Sequence, residues 1–238
     1  MNENFYFRQI LAGRDFAVGD AVALSMKNFT YALGDRRSGE AVLVDPAYRP
    51  RELVETLKTD GMTLVGAIAT HYHPDHIGGT LIGQQHLAGI VELLEIQDVP
   101  VHVQADEVSW ILDRTGINPD ALFAHDDHEQ LRVGEIEITL LHTPGHTPGS
   151  QCLLVEGNLL SGDTLFIDGC GRTDFPGGDS AEMYRTLSER LAEVSDDTIL
   201  YPGHLYSREP SLAMGEVRAR NNVFAANSLE QWLAMFGS

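Results

Sequence analysis

A layered α/β sandwich is the fold class this chain predicts, and three observations predict it. Short apolar runs of strand length recur along the chain, stretches with helical periodicity fall between them, and no Ser/Pro-rich linker or break in composition divides the 238 residues. Strands are expected at residues 29–33, 41–45, 64–70, 99–104, 136–141 and 151–155, the last within an apolar run that reaches residue 160. Gly34-Asp35 through Gly39 is expected to turn the first strand into the second. Helical spacing runs through residues 50–60, 105–115 and 180–194. A further helix over 83–97 would belong to the core by default, or else cover a pocket mouth. With 43% hydrophobic residues the chain can bury a substantial core. One domain over 1–238 is expected, ending in a short helical segment at about 211–238. There Leu229, Trp232, Leu233 and Phe236 fall at helical spacing after an Asn227-Ser228 cap. That face is expected to dock on its own subunit, and a homodimer contact would use the same face.

The chemistry is concentrated in His71-Tyr72-His73-Pro74-Asp75-His76, directly after the apolar run 64–69. Imidazole is the commonest nitrogen ligand of zinc and suits iron equally, and a carboxylate completes such sites. Side chains two apart in extended chain point the same way, so His71 and His73 can share one ion. Asp75 and His76 then fall in the turn opening the next helix and can face a second. Three similar elements follow: His146 between two Pro-Gly pairs, Asp163 after the apolar run 151–160, and His204 after Tyr201-Pro202-Gly203. Each is a His or Asp on a glycine turn at a strand end, where loops carry function on a rigid scaffold. Taken singly, each is more simply a turn residue; together they make a site. His102 and His142 lie in expected strands, where packing is the simpler role. His125 and His128 are expected in a solvated loop, with an exposed secondary metal patch as the alternative.

The motif H-x-H-x-D-H, followed in order by Gly-His, Gly-Asp and Gly-His, resembles the metallo-β-lactamase superfamily over residues 71–204. The resemblance implies that His71, His73 and His146 hold a first metal, that Asp75, His76 and His204 hold a second, and that Asp163 bridges them. It further implies a four-layer αββα sandwich, two mixed β-sheets with helices outside and the metals at one edge. Two divalent ions are implied, zinc first, with iron or manganese as alternatives. Water held between two such ions has its pKa lowered to about 7 and becomes a strong nucleophile. The reaction expected is attack of metal-bound hydroxide on a thioester carbonyl, with Asp75 as the catalytic carboxylate that orients the water or accepts its proton.

The loop after Asp163 carries the resemblance to particular branches of the superfamily, and its Gly-Arg-Thr-Asp-Phe motif does not separate them. Gly169-Cys170-Gly171-Arg172-Thr173-Asp174-Phe175 resembles glyoxalase II, the hydroxyacylglutathione hydrolases, except that Arg172 and Asp174 stand where that family has Lys and Tyr. Arg172 keeps a cation able to grip a carboxylate in bidentate fashion, whereas Asp174 would repel one. Tyr206 matches the family's remaining tyrosine contact. Arg172, Asp174 and Tyr206 are therefore the candidate substrate contacts. The same loop resembles the persulfide dioxygenases, which implies one iron held by two histidines and an aspartate. A non-catalytic scaffold that kept the metal site is the third reading. Cys170 is expected to be a small buried residue of the turn.

A formal net charge of −19 repels nucleic acid and anionic membranes, and no Lys/Arg cluster offsets it; Arg36-Arg37 and Arg218/Arg220 are isolated pairs. A small-molecule thiol conjugate is the expected partner. Two cysteines without metal-binding spacing, no signal-peptide pattern at the N-terminus and no run near the ~20 apolar residues of a membrane span lead to a cytoplasmic expectation.

Overall fold

The computed structural model describes residues 2–81 and 85–237. The first half comprises β1 (Phe5–Leu11), α1 (Ala21–Met26), β2 (Phe29–Asp35), β3 (Glu40–Val44), α2 (Pro50–Thr59), β4 (Thr63–Ile68), the single turn α3 (Pro74–Ile77), the ribbon β5 (Gly79–Thr80) and β6 (His86–Leu87), α4 (Ile90–Ile96), β7 (Val101–Gln104), α5 (Val108–Thr115) and β8 (Leu122–His125). The second comprises β9 (Gln130–Val133), β10 (Ile136–His142), β11 (Gln151–Val155), β12 (Asn158–Gly162), α6 (Ser180–Arg185), β13 (Ile199–Pro202), β14 (Leu212–Ala213), α7 (Met214–Arg220) and α8 (Leu229–Phe236). Two six-stranded mixed sheets result, ordered β1-β2-β3-β4-β7-β8 and β14-β13-β12-β11-β10-β9. In the first, β1, β2 and β3 are antiparallel while β3, β4, β7 and β8 run parallel. In the second, only β12 and β13 pair in parallel.

Strand alternation explains why the layers stack. In β3, Val42 and Val44 point to the space between the sheets, while Ala41 and Leu43 point to the helices. Both faces are covered, so the strand is an unbroken apolar run rather than an alternating one. The inter-sheet core sets Phe29, Tyr31, Leu33 and Ile68 of the first sheet against Ile136, Ile138, Leu153 and Leu160 of the second. The helices α2, α4 and α5 cover the outer face of the first sheet, through residues such as Leu53, Leu57, Ile90, Leu93 and Ile111. The outer face of the second is covered through Met183, Leu187, Val217 and Trp232. The order helix, sheet, sheet, helix is the αββα sandwich.

Several expected elements change. The strand expected at 151–155 is β11, but the apolar run to 160 does not extend it; it turns back as β12, in which Asn158 pairs with Val155. Glu156 and Gly157 turn it with φ of 48° and 76°, the left-handed pair of a type I′ turn. The helix expected over 180–194 leaves α-helical pitch after Arg185 and continues as a wider π-turn, Thr186–Arg190. There the Thr186 hydroxyl donates to the buried Pro144 carbonyl at 2.7 Å, and Leu187 and Leu191 both reach the core. The helix expected over 83–97 begins at Ile90, where the Gly89 N–H donates to Glu92 at 2.7 Å; residues 82–84 lie outside the described set. Ile90 and Leu93 make it a core helix. In α8, Ser228 caps as expected and buried Trp232 donates to Ser180 at 3.0 Å, but Leu233 falls on the helix flank and stays exposed. Among the described residues no helix is long and apolar enough to cross a membrane.

Leu33 is fully buried between the sheets. Leu33→Ala is expected to cost about 2–5 kcal/mol through lost transfer energy and the cavity left behind. Urea denaturation reads this as a lower midpoint at unchanged slope, and a loss below ~1 kcal/mol would show that the two sheets do not meet there.

Candidate metal centre

All seven expected ligands converge at one edge of the sandwich, each delivered by a strand end. The loop after β4 is set by Asp45, which sits past β3 with φ of 54° and accepts from the Thr70 N–H at 2.8 Å and the Thr70 hydroxyl at 2.7 Å. His71 follows at once, and His73 caps the one-turn helix α3, whose Pro74 occupies the first helical position. Asp75 and His76 lie within that turn. Asp163 follows β12, and His204 follows β13, the parallel neighbour of β12. Gly203 is required between them, because a Cβ there would stand 2.4 Å from Asp163 Oδ1.

The ligand atoms form overlapping groups, His71–His73–His146, Asp75–His76–His204 and His71–His76–Asp163, each with its atoms within 4.8 Å of one another. Inside the cluster, nitrogens face nitrogens: His71 Nε2 is 3.0 Å and His146 Nε2 is 2.9 Å from His73 Nδ1, and His76 Nε2 is 3.2 Å from His204 Nε2. The outward nitrogens are occupied by protein acceptors, which fixes the tautomers. His146 Nδ1–H donates to the Arg172 carbonyl at 2.6 Å, His204 Nδ1–H to the Met26 carbonyl at 2.7 Å, and His76 Nδ1–H to Asp45 at 2.9 Å. The inward nitrogens of these three rings are thus lone pairs aimed at common points. Asp163 Oδ1 is buried without a hydrogen-bond donor in proper geometry, although His76 Nε2 lies 3.3 Å away. Converging lone pairs and an orphaned carboxylate oxygen are what bound cations would satisfy, so the residues present fit divalent metal ions.

Electrostatics divide the cluster. Burial holds His71 and His146 below the usual imidazole range and brings His73 down to about 3, leaving three neutral ligands. Burial opposes protonation of His76 and His204 too, but Asp163 and Asp75 outweigh it and raise both. Burial likewise opposes ionisation of Asp163, yet His204 and His76 hold it well below the usual carboxylate range.

Three contributors were not singled out from sequence. Asp45 fixes Thr70 and His76 as described. Asn28, which is buried, donates to Asp75 Oδ2 at 3.0 Å and is itself held by the Tyr48 hydroxyl at 2.6 Å. Glu107, also buried, joins the two histidine loops: it accepts from the Tyr72 N–H at 2.7 Å, the Thr147 hydroxyl at 2.8 Å and the Gly149 N–H at 2.7 Å. Gly149 must be glycine, since a Cβ would meet the Glu107 backbone nitrogen at 2.4 Å. An acidic residue opening a helix reads as ordinary dipole compensation, so no local signal marks Glu107.

The other candidates fall as follows. His102 Nδ1 lies 2.8 Å from His125 Nε2, whose other nitrogen meets Glu129 at 2.7 Å, a chain apart from the metal cluster. His128 is exposed, 3.8 Å from Asp127, and His142 donates to the Pro148 carbonyl at 2.8 Å. The secondary patch of His125 with His128 is not among the metal-binding groups of the described residues. Cys170 borders the pocket, and burial pushes its thiol up to about 12, which makes it inert near neutral pH. Arg172 and Asp174 pair with each other at 2.9 and 2.5 Å, and the Arg172 guanidinium lies 4.4 Å from the Phe175 ring centroid. Tyr206 stacks on His204 with centroids 4.6 Å apart. Above the ligands opens a cavity of about 670 Å³ walled by Tyr72, Phe166, Phe175 and Tyr206. A larger open groove of about 870 Å³, between α2 and α4, lies away from the ligand groups.

Fold and ligand array together define a metal-dependent enzyme of the metallo-β-lactamase type. Residues 28–82 and 85–204 match the family described as the Metallo-beta-lactamase superfamily, and the chain belongs to it. It is 30% identical over 217 residues to the human protein named persulfide dioxygenase ETHE1, mitochondrial, covering 88% of this chain and 76% of that one. It is 33% identical over 191 residues to a Schizosaccharomyces pombe protein named Probable hydroxyacylglutathione hydrolase, covering 76% of this chain and 65% of that one. The crystal structure of ETHE1 from Myxococcus xanthus superposes with a TM-score of 0.78 at 26% identity, covering 97% of this chain and 89% of that one. Both branches expected from the Arg172 loop are therefore represented among its relatives.

Glu107→Gln places an amide N–H₂ against a set of donors. Outer contacts of this kind are worth about 10–100-fold in metal affinity. Chelator competition is expected to strip zinc from the variant at correspondingly lower chelator concentration; an unchanged profile would show that Glu107 does not hold the histidine loops.

Proposed function

We propose that this protein is a two-metal hydrolase of thioesters, similar to the hydroxyacylglutathione hydrolases and acting on a small thiol conjugate in the cytoplasm. The observation that carries the reading is the second triad, Asp75–His76–His204, standing intact beside the first with Asp163 between them. A site for one ion needs no such second set. Its nitrogen and carboxylate donors suit zinc and also accept iron or manganese. When bound, the ions would supply Lewis acidity and a water of lowered pKa.

The chain's own residues supply the rest. Asp75 borders the cavity, and Asn28 and Tyr48 hold its carboxylate where it can orient a water and take its proton. Phe166, Phe175 and Tyr206 form an apolar wall that shields the thioester from bulk water. The histidine N–H groups pinned to backbone carbonyls keep the ligand rings from turning as charge develops. Such an acidic surface also disfavours nucleic acid as a substrate.

A mononuclear iron persulfide dioxygenase is the second reading, favoured by the 30% identity to the protein of that name and by the loop around Arg172. Its opposite readout separates it. Thiol release from a glutathione thioester, followed with a chromogenic disulfide, is expected from zinc-loaded protein. Asp163→Ala is expected to lower that rate by about a thousandfold or more, the loss of several kcal/mol of charge stabilisation. Oxygen uptake with glutathione persulfide and no thiol release from the thioester would overturn the hydrolase in favour of the dioxygenase. Inactivity in both assays, with Asp163→Ala indistinguishable, would leave a non-catalytic scaffold.

A further inference from the structure

Two cations line the cavity above the ligand cluster, Arg114 and Arg172, and they differ in state. Arg172 is paired with Asp174 and stacked on Phe175, so its charge is already answered. Arg114, in the last turn of α5, has no carboxylate within ion-pair distance among the described residues. Its guanidinium carbon lies 5.5 Å from the Tyr72 ring centroid, and Nη1 makes one long contact of 3.4 Å to the Thr80 carbonyl. Most of its five N–H donors are left open.

This cation stands on a fixed support. The Tyr72 hydroxyl donates to the Pro176 carbonyl at 2.8 Å, and its ring stacks on Trp110 at 5.1 Å. The same ring lies 4.6 Å from the His73 ring, so Arg114 sits one aromatic ring away from a metal ligand. The Arg114 stem passes close to Gly79, where a Cβ would meet Cγ at 3.2 Å. Nor does another acid of the cavity claim it. Asp75 and Asp163 face the histidines, while Asp168 accepts from Ser207 at 2.6 Å and faces Arg220 at 3.5 Å. In a chain with 35 acidic residues against 16 basic ones, an arginine beside the cavity that pairs with no acid among the described residues presents its donors to an anion carried by a ligand.

We infer that Arg114 is the anion subsite of this cavity, holding a carboxylate or phosphate of the thiol carrier whose sulfur end lies at the histidine cluster. The planar guanidinium matches either oxyanion through paired N–H donors, and it rests over the Tyr72 ring. The inference deepens the thiol-conjugate reading and moves the charge recognition expected of Arg172 to the second cation of the same cavity. It concerns binding and not the reaction, so it stands or falls apart from thioester turnover.

Calorimetric titration of the zinc-loaded protein with three unreactive thioethers tests it: S-methylglutathione, S-methyl-4′-phosphopantetheine and the neutral S-methyl-N-acetylcysteamine. At least one anionic probe is expected to bind the wild type, and Arg114→Gln to weaken it by about tenfold or more, the scale of one charge-assisted hydrogen-bond pair. Affinity for the neutral probe should not change, and Arg172→Gln should cost less than about threefold. The anion that responds identifies the carrier as peptide-like or phosphate-bearing. Equal affinity of Arg114→Gln and wild type for both anions, an equal loss for the neutral probe, or no binding of either anion by the wild type at millimolar concentration would overturn the inference. Arg114-dependent binding without thioester turnover would sink the hydrolase reading and leave the subsite standing.

Discussion

Seven titratable side chains are drawn to one edge of two packed sheets, and the rest of the structure is arranged around the cost of burying them. Uncompensated polar atoms in such a place would destabilise the fold severely. The chain meets this by satisfying every outward-facing ring nitrogen of His76, His146 and His204 with a carbonyl or carboxylate, and by leaving the inward lone pairs in common. Asp45 and Glu107 extend the same logic to the backbone. Each places a buried carboxylate between chain segments that carry ligands, and each accepts N–H groups that loops would otherwise leave open. The ligand geometry is thus a property of the loops' hydrogen bonds as much as of the histidines.

The sandwich makes this economical. Strand ends of the two sheets meet at one edge, so residues far apart in sequence arrive together without long excursions of chain. His71 follows β4 in the first sheet, whereas Asp163 and His204 follow the parallel neighbours β12 and β13 in the second. The inter-sheet core of Leu33, Ile68, Ile138 and Leu153 fixes the spacing between those ends. A shift of one sheet across the other would separate the ligands, so core packing and metal geometry are coupled.

Much of this was legible in the sequence because the ligands are dense and adjacent to glycine and proline. H-x-H-x-D-H gave the site, and the β2–β3 turn and the helices at 50–60 and 105–115 followed from ordinary turn and periodicity signals. Other features had no local mark. The run at residues 5–11 places the polar pair Arg8-Gln9 between apolar ends, with no strict alternation, and becomes β1 by pairing with β2 from Phe5↔Asp35 to Leu11↔Phe29. The hairpin at Glu156-Gly157 was hidden because apolar residues continue on both sides of a two-residue turn. Asn28, Glu107 and Arg114 matter through partners distant in sequence, 47 residues away for Asn28 and Asp75. Pairings of that kind are written in the fold and not in any window of the chain.

The two triads are chemically unequal, and this bears on what the site can do. His71, His73 and His146 present neutral imidazoles, with burial already disfavouring their protonated forms. In the second triad, Asp75 Oδ2 faces His76 and His204 at 3.5 Å each, yet the same oxygen also accepts from Asn28 at 3.0 Å. Its electron density is shared between a fixed amide donor and any cation placed there. The neighbouring carboxylates, moreover, raise the proton affinity of His76 and His204, so an ion must displace protons held more firmly than in the first triad. The two triads therefore differ in how they hold protons, the first kept neutral by burial and the second drawn toward protonation by its carboxylates. Asn28 and Tyr48, which belong to neither triad, fix the carboxylate of the second from outside the ligand set.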